Sequence, residues 1–106
     1  MKILENHPAY KKAREEYGFE FELDMLVEEC TELIMAVSKM KRANLKDESL
    51  IEVTANFAEE VGDVENLLQQ MKHWVPEFEE AVNEIRVKKL DRLERRVDEQ
   101  IKNGSA

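Results

Sequence analysis

Glu28-Glu29-Cys30-Thr31-Glu32 and Glu60-Val61-Gly62-Asp63 are the strings in this chain whose residue types and spacing could do chemistry. Each sets carboxylates three residues apart, and residues three apart on a helix share a face. Each string is then a pair of oxygen prongs. Two such pairs on neighbouring helices make a site for a hard divalent cation. All-oxygen ligation favours Mg²⁺, with Mn²⁺ as a substitute, over zinc. A helical di-iron site also uses glutamates, but it requires Glu-x-x-His motifs. The only histidines are His7 and His73, and the residues three before them are Leu4 and Gln70.

The elements that must carry these prongs read as four helices. His7-Pro8 opens the first, with proline suited to an early helical position, and Gly18 follows its end at about Tyr17. The second runs from about Phe19 to Arg42, with Leu23, Leu26, Val27, Cys30, Leu33, Ile34 and Val37 spaced mostly three and four apart. Ala43 to Asp47 reads as a polar connection. The third begins near Asp47 or Ser49, where Ser49-Leu50-Ile51-Glu52 fits a capping box, and continues to about Trp74. Its apolar side is Leu50, Val53, Phe57, Val61, Val64, Leu68 and Met71. Val75-Pro76 breaks it. The fourth opens at Pro76 with Glu77, Glu79 and Glu80 at the positive end of the helix dipole and runs to about Ile101. Asn103 to Ala106 is expected to fray. The expected fold is an all-α four-helix bundle, a single domain over 1–106 with its core at about 19–101.

Helical projection places one acid of each string where it should not be. Relative to Glu29, Ala36 lies at about −20°, Met40 at 20°, Leu33 at 40° and Leu26 at 60°, while Glu32 lies at about −60°. Relative to Glu60, Leu67 lies at about −20°, Met71 and Val53 at 20°, Val64 at 40° and Asp63 at about −60°. Both helices carry one carboxylate inside the apolar arc and a partner at its rim. A buried unpaired carboxylate costs several kcal/mol or takes up a proton. A salt bridge is the competing reading, but the third helix has no cation between Asp47 and Gln70. Two carboxylates at matched phase ask for a shared counter-charge.

Composition narrows the classes. With three glycines and two prolines in 106 residues, helix is the expectation, and a chain this small gains core by association. The formal net charge of −8 argues against binding a nucleic-acid polymer. The lone cysteine, Cys30, forms no internal disulfide, which fits a reducing compartment. No apolar run reaches the ~18 residues a membrane span needs, and the amino-terminal residues lack the apolar core of a secretory signal. A cytoplasmic protein is expected.

The pattern Glu-Glu-x-x-Glu, 27 residues, then Glu-x-x-Asp resembles the signature of the MazG-like, all-α nucleoside triphosphate pyrophosphohydrolases. A basic cluster on the last helix, Lys88-Lys89-Leu90-Asp91-Arg92-Leu93-Glu94-Arg95-Arg96, adds to the similarity, which spans roughly residues 19 to 97. The resemblance implies Glu29, Glu32, Glu60 and Asp63 as metal ligands. Glu28 becomes a catalytic helper that touches a second ion or orients the attacking water. It implies Mg²⁺-dependent cleavage of a (deoxy)nucleoside triphosphate to the monophosphate and pyrophosphate, as nucleotide-pool housekeeping, by a homodimer or homotetramer. Phosphoribosyl-ATP pyrophosphohydrolase is a related alternative. A non-catalytic helical module for oligomerisation or nucleotide binding is the alternative of a different class.

Residues 86 to 96 hold six cations against two acids, a concentration that suits polyphosphate in an otherwise acidic chain. Lys89 and Arg92, then Arg96, are the expected phosphate contacts, against the competing reading of solvated or snorkelling side chains. Asn56, one turn before Glu60, is a candidate for hydrogen bonding to the ligand. Phe21, Phe57 and Trp74 are candidates for base stacking, though apolar packing is the stronger expectation for each. Cys30 reads as a small core residue. Gly62 projects away from Glu60, and close packing against another helix is its expected reason.

Overall fold

The computed structural model of the chain describes residues 2–46 and 50–104. Every regular element among them is α-helical: α1 Lys2–Glu5, α2 Pro8–Tyr17, α3 Phe19–Lys46, α4 Leu50–Trp74 and α5 Pro76–Lys102. The four expected long helices are all present, and only the short α1 was not anticipated. The proposed capping box and helix start at 47–49 lie outside the described residues.

Local chemistry accounts for the boundaries. The His7 backbone is extended, and its Nδ1 accepts a hydrogen bond from Ala9 N at 3.1 Å, with Pro8 in the first turn. Gly18, at φ 85°, makes the turn that ends α2, a conformation L side chains rarely adopt. Its carbonyl accepts from Glu22 N to open α3. The second helix extends past Arg42 to Lys46 rather than yielding to a polar connection at Ala43. Ala43 is buried, and the segment 43–46 contains no glycine or proline to stop the helix. Asn103 and Gly104 do not fray. Their backbone N–H groups donate to Glu99 O and Ile101 O, and Gly104 takes the positive φ that closes a helix end.

The chain falls into two compact units, Met1–Trp74 and Val75–Ala106, divided at the expected Val75-Pro76 break. In the first, α3 and α4 pack against each other along their length, and α2 packs on both. Contacts pair Glu22 with Gln70, Glu29 with Asp63, and Met40 with Thr54, so α3 and α4 run antiparallel. The core of this unit is Tyr10, Ala36, Ala43, Val64, Leu67 and Met71. Ala36, Val64, Leu67 and Met71 are members of the two arcs that projection gave around Glu29 and Glu60. The second unit is α5, none of whose side chains is buried.

The apolar surface of α3 is wider than α4 covers. Leu26, Leu33, Ala36 and Met40 lie in or near the interface, but the adjacent stripe of Leu23, Val27, Ile34 and Val37 is exposed, with Val27 and Ile34 at 68% and 67%. Projection could not separate these stripes, because both have helical spacing and lie about 100° apart.

Gly62 corrects an expectation. A Cβ built there meets nothing within 4 Å, so among the described residues no helix packs closely against it. Gly62→Ala is therefore expected to stabilise the protein by about 0.4–1 kcal/mol, through helix propensity and a less disordered unfolded chain. Urea denaturation measures this, and a loss of stability would place a second copy of the chain over Gly62.

Candidate metal centre

The antiparallel register lays the two acidic strings side by side. Oxygens of Glu29, Glu60 and Asp63 all come within 4.8 Å of one another, and all three residues are half-buried. Glu60 Oε2 is sealed from solvent and has no hydrogen-bond partner among the described residues. Such an oxygen is unusual, because buried carboxylates normally gather donors. Three converging carboxylates with an orphaned oxygen form an all-oxygen donor set, and this fits a hard divalent cation.

Electrostatics reinforce the geometry. Partial burial pushes the Glu60 carboxyl above its ordinary value of 4.5, with Asp63, Glu32 and Glu59 adding repulsion and Lys39 of α3 opposing weakly. Burial likewise raises Glu29, followed by the charges of Asp63, Glu60, Glu28 and Glu32. The one counter-charge, Lys39, is the smallest of the influences on Glu60, so the site favours either protons or a cation.

A pH dependence follows. Below about pH 4.5 Glu29 and Glu60 are protonated in folded and unfolded chains alike, and they cost the fold nothing. As pH rises through the elevated folded values, the unfolded chain releases these protons more readily, so stability falls. Metal-free melting temperature is expected to drop over this window relative to Glu60→Gln. Mg²⁺ is expected to raise it more near pH 7.5 than near pH 5, because the cation competes with the protons. Differential scanning fluorimetry across pH, with and without Mg²⁺, reads both; an Mg²⁺ effect that shrinks as pH rises would contradict the site.

The remaining sequence candidates fall into three groups. Glu32 is exposed, and its oxygens lie outside the convergence of the three carboxylates, although its charge acts on both Glu29 and Glu60. Glu28 is exposed beside Glu29, and Asn56 is half-buried one turn before Glu60. On the second unit, Lys88, Lys89, Arg92 and Arg95 line one surface groove of α5 with Ile85 and Asp91, and Arg96 is exposed. Of the aromatic candidates, Trp74 is engaged inside the first unit, edge-on to Phe19 and donating its indole N–H to Glu22. Phe21 is half-exposed and tilts against Tyr17, and Phe57 is half-buried. Cys30 is free and half-buried.

Sequence reasoning missed Glu22. It is the one fully buried charged residue among those described, and it accepts hydrogen bonds from Gln70 Nε2 and Trp74 Nε1. Its place one residue before Leu23 and seven before Glu29 puts it in the Glu29 phase, at about 20°. That was the available signal.

No protein-family model, no curated protein and no solved structure matches this chain. No helix among the described residues is long and apolar enough to cross a membrane.

Proposed function

We propose that this protein is a divalent-metal-dependent nucleoside triphosphate pyrophosphohydrolase, splitting a (deoxy)nucleoside triphosphate between its α and β phosphates. The observation that carries the reading is the orphaned, solvent-sealed Oε2 of Glu60 within the convergence of Glu29, Glu60 and Asp63. Glu29 and Glu60, whose proton affinity burial and the neighbouring carboxylates raise, are a costly arrangement for a purely structural helix pair, and a cation relieves the cost. The resemblance of the acidic pattern to MazG-like enzymes supplies the substrate class.

Glu29, Glu60 and Asp63 hold the metal in this reading, and Glu32, outside their convergence, adds its negative charge from the rim. Bound Mg²⁺ supplies phosphate charge neutralisation and a more acidic water. Glu28, exposed beside Glu29, is the proposed helper in this reading, touching a second ion or orienting the attacking water. Asn56 offers an amide to the ligand on the α4 flank. Lys89, Arg92 and Arg96, in the basic cluster of α5, draw polyphosphate toward an otherwise acidic protein. Such a reaction needs placement and electrostatic support rather than a side-chain nucleophile.

The exposed stripe of Leu23, Val27, Ile34 and Val37 supports assembly into a homodimer or homotetramer, since patches of this kind mark interaction surfaces. The deciding experiment incubates the protein with Mg²⁺ and a panel of ordinary and modified nucleoside triphosphates and resolves the products. Monophosphate and pyrophosphate are expected. Diphosphate and orthophosphate would overturn the cleavage position, and no product from any member would leave a binding or oligomerisation module as the better reading.

A further inference from the structure

A crevice of about 270 Å³ opens between the amino-terminal helices and the later half of α4. Its apolar walls are Leu4, Tyr10 and Ala13, and its polar groups are His7, Asn66 and Gln70. We propose that it receives the heterocyclic base of the nucleotide, an inference that rests on the function proposed above.

The groups in the crevice are built for an uncharged, hydrogen-bonding ring. Tyr10 is fixed on two sides: its ring stacks on His73 at 5.1 Å, and its hydroxyl donates to Asn66 Oδ1 at 3.4 Å. With its carbonyl so used, Asn66 retains its amide N–H groups as donors without a partner among the described residues. Gln70 is the reverse case, since its N–H donates to Glu22 and its carbonyl oxygen remains to accept. His7 Nδ1 accepts from Ala9 N, which sets the neutral tautomer with Nε2–H as a further donor. The crevice thus offers both donors and an acceptor beside an apolar wall, the combination a base edge and base face require. Among the described residues no lysine or arginine lines it, so it offers the phosphate end of a nucleotide no counter-charge. Ligand pockets for drug-sized molecules span about 300–1,000 Å³, and this smaller volume suits one ring system rather than a whole nucleotide.

Placement along α4 connects the crevice to the acid cluster. Asp63, Asn66 and Gln70 follow one another at spacings of three and four, with Gln70 within about 20° of Asp63. At the helical rise, the centre of the Asn66–Gln70 pair lies about 10 Å along the axis from that of Glu60–Asp63. A ribose and its first phosphate can bridge that distance. A single helix therefore presents carboxylates for the polyphosphate end and amides for the base end.

Nucleosides test the crevice apart from the reaction, because they carry no phosphate for the acid cluster to hold. The full chain is titrated with adenosine, guanosine, cytidine, uridine and thymidine while the side-chain amide signals of Asn66 and Gln70 and the His7 ring signals are followed by NMR. Saturable shifts at these signals are expected with at least one nucleoside. Ala13→Trp, which fills the crevice, should abolish all of them, and Asn66→Leu, which removes the donor, should abolish those at Gln70 and His7, while the Mg²⁺-induced rise in melting temperature persists. For the best hydrolysed triphosphate, Asn66→Leu should raise KM about tenfold with little change in kcat, the cost of one lost hydrogen bond. Absence of shifts with all five nucleosides, or shifts that survive both substitutions, overturns the base pocket. Failure of the wider reading looks different, as absent pyrophosphate release regardless of nucleoside binding.

Discussion

Glu60→Gln is expected to reduce pyrophosphate release by at least 100-fold and to remove the Mg²⁺-dependent gain in melting temperature, while the far-ultraviolet spectrum stays helical. Substituting partners outside a metal's ligand set already costs on the order of 10–100-fold, so loss of a ligand should cost more. Glutamine keeps the volume of the side chain and one carbonyl oxygen, but it loses the charge. The same change relieves repulsion with Asp63, Glu32 and Glu59 and removes a carboxylate that burial disfavours. The metal-free variant should therefore be more stable than wild type at neutral pH, even as it loses activity. That opposition separates a metal ligand from a structural acid, whose removal would lower stability and leave the response to Mg²⁺ as it is in the wild type. Calorimetric titration with Mg²⁺ and parallel melting curves provide the two readouts, and full activity in the variant would refute the site.

Glu22→Leu should destabilise the first unit more than any surface change. Glu22 is fully buried, and Gln70 and Trp74 both donate to it across the α3–α4 interface. Leucine strands both donors, and each unsatisfied buried donor costs roughly 1–3 kcal/mol. Denaturant midpoints measure the loss. Glu22→Gln, which retains an acceptor oxygen, should recover part of it, whereas equal midpoints for the leucine variant and wild type would show that the donors find other partners. Because Glu22 lies two turns before Glu29 on α3, and Gln70 two turns after Asp63 on α4, this contact fixes the register that brings the acids together. A partial loss of Mg²⁺ affinity in Glu22→Leu is part of the same expectation.

Glu22 and Gly62 mark the two ways in which projection fell short. Glu22 has the phase of Glu29, but a single acid at the start of a helix, beside Phe21 and Leu23, carries no local signature of its two donors forty-eight and fifty-two residues away. Gly62 has a local signature but no packing partner among the described residues. Glu32 and Asp63 were equivalent by phase, and the fold distinguishes them: Asp63 joins Glu29 and Glu60, while Glu32 stays exposed.

What the amino-acid sequence determined alone was local and periodic. Proline at 8 and 76 and glycine at 18 set helix boundaries through fixed or permissive backbone angles. The three-and-four spacing of apolar residues set which arc of α3 and α4 faces inward, and with it the anomaly of Glu29 and Glu60. Tertiary structure decided which of two adjacent apolar stripes on α3 is covered, which carboxylates meet, and that Glu60 holds an oxygen without a partner among the described residues. Helical periodicity fixes angles around one axis; the meeting of two axes, and their relative slide, depends on side chains far apart in the chain.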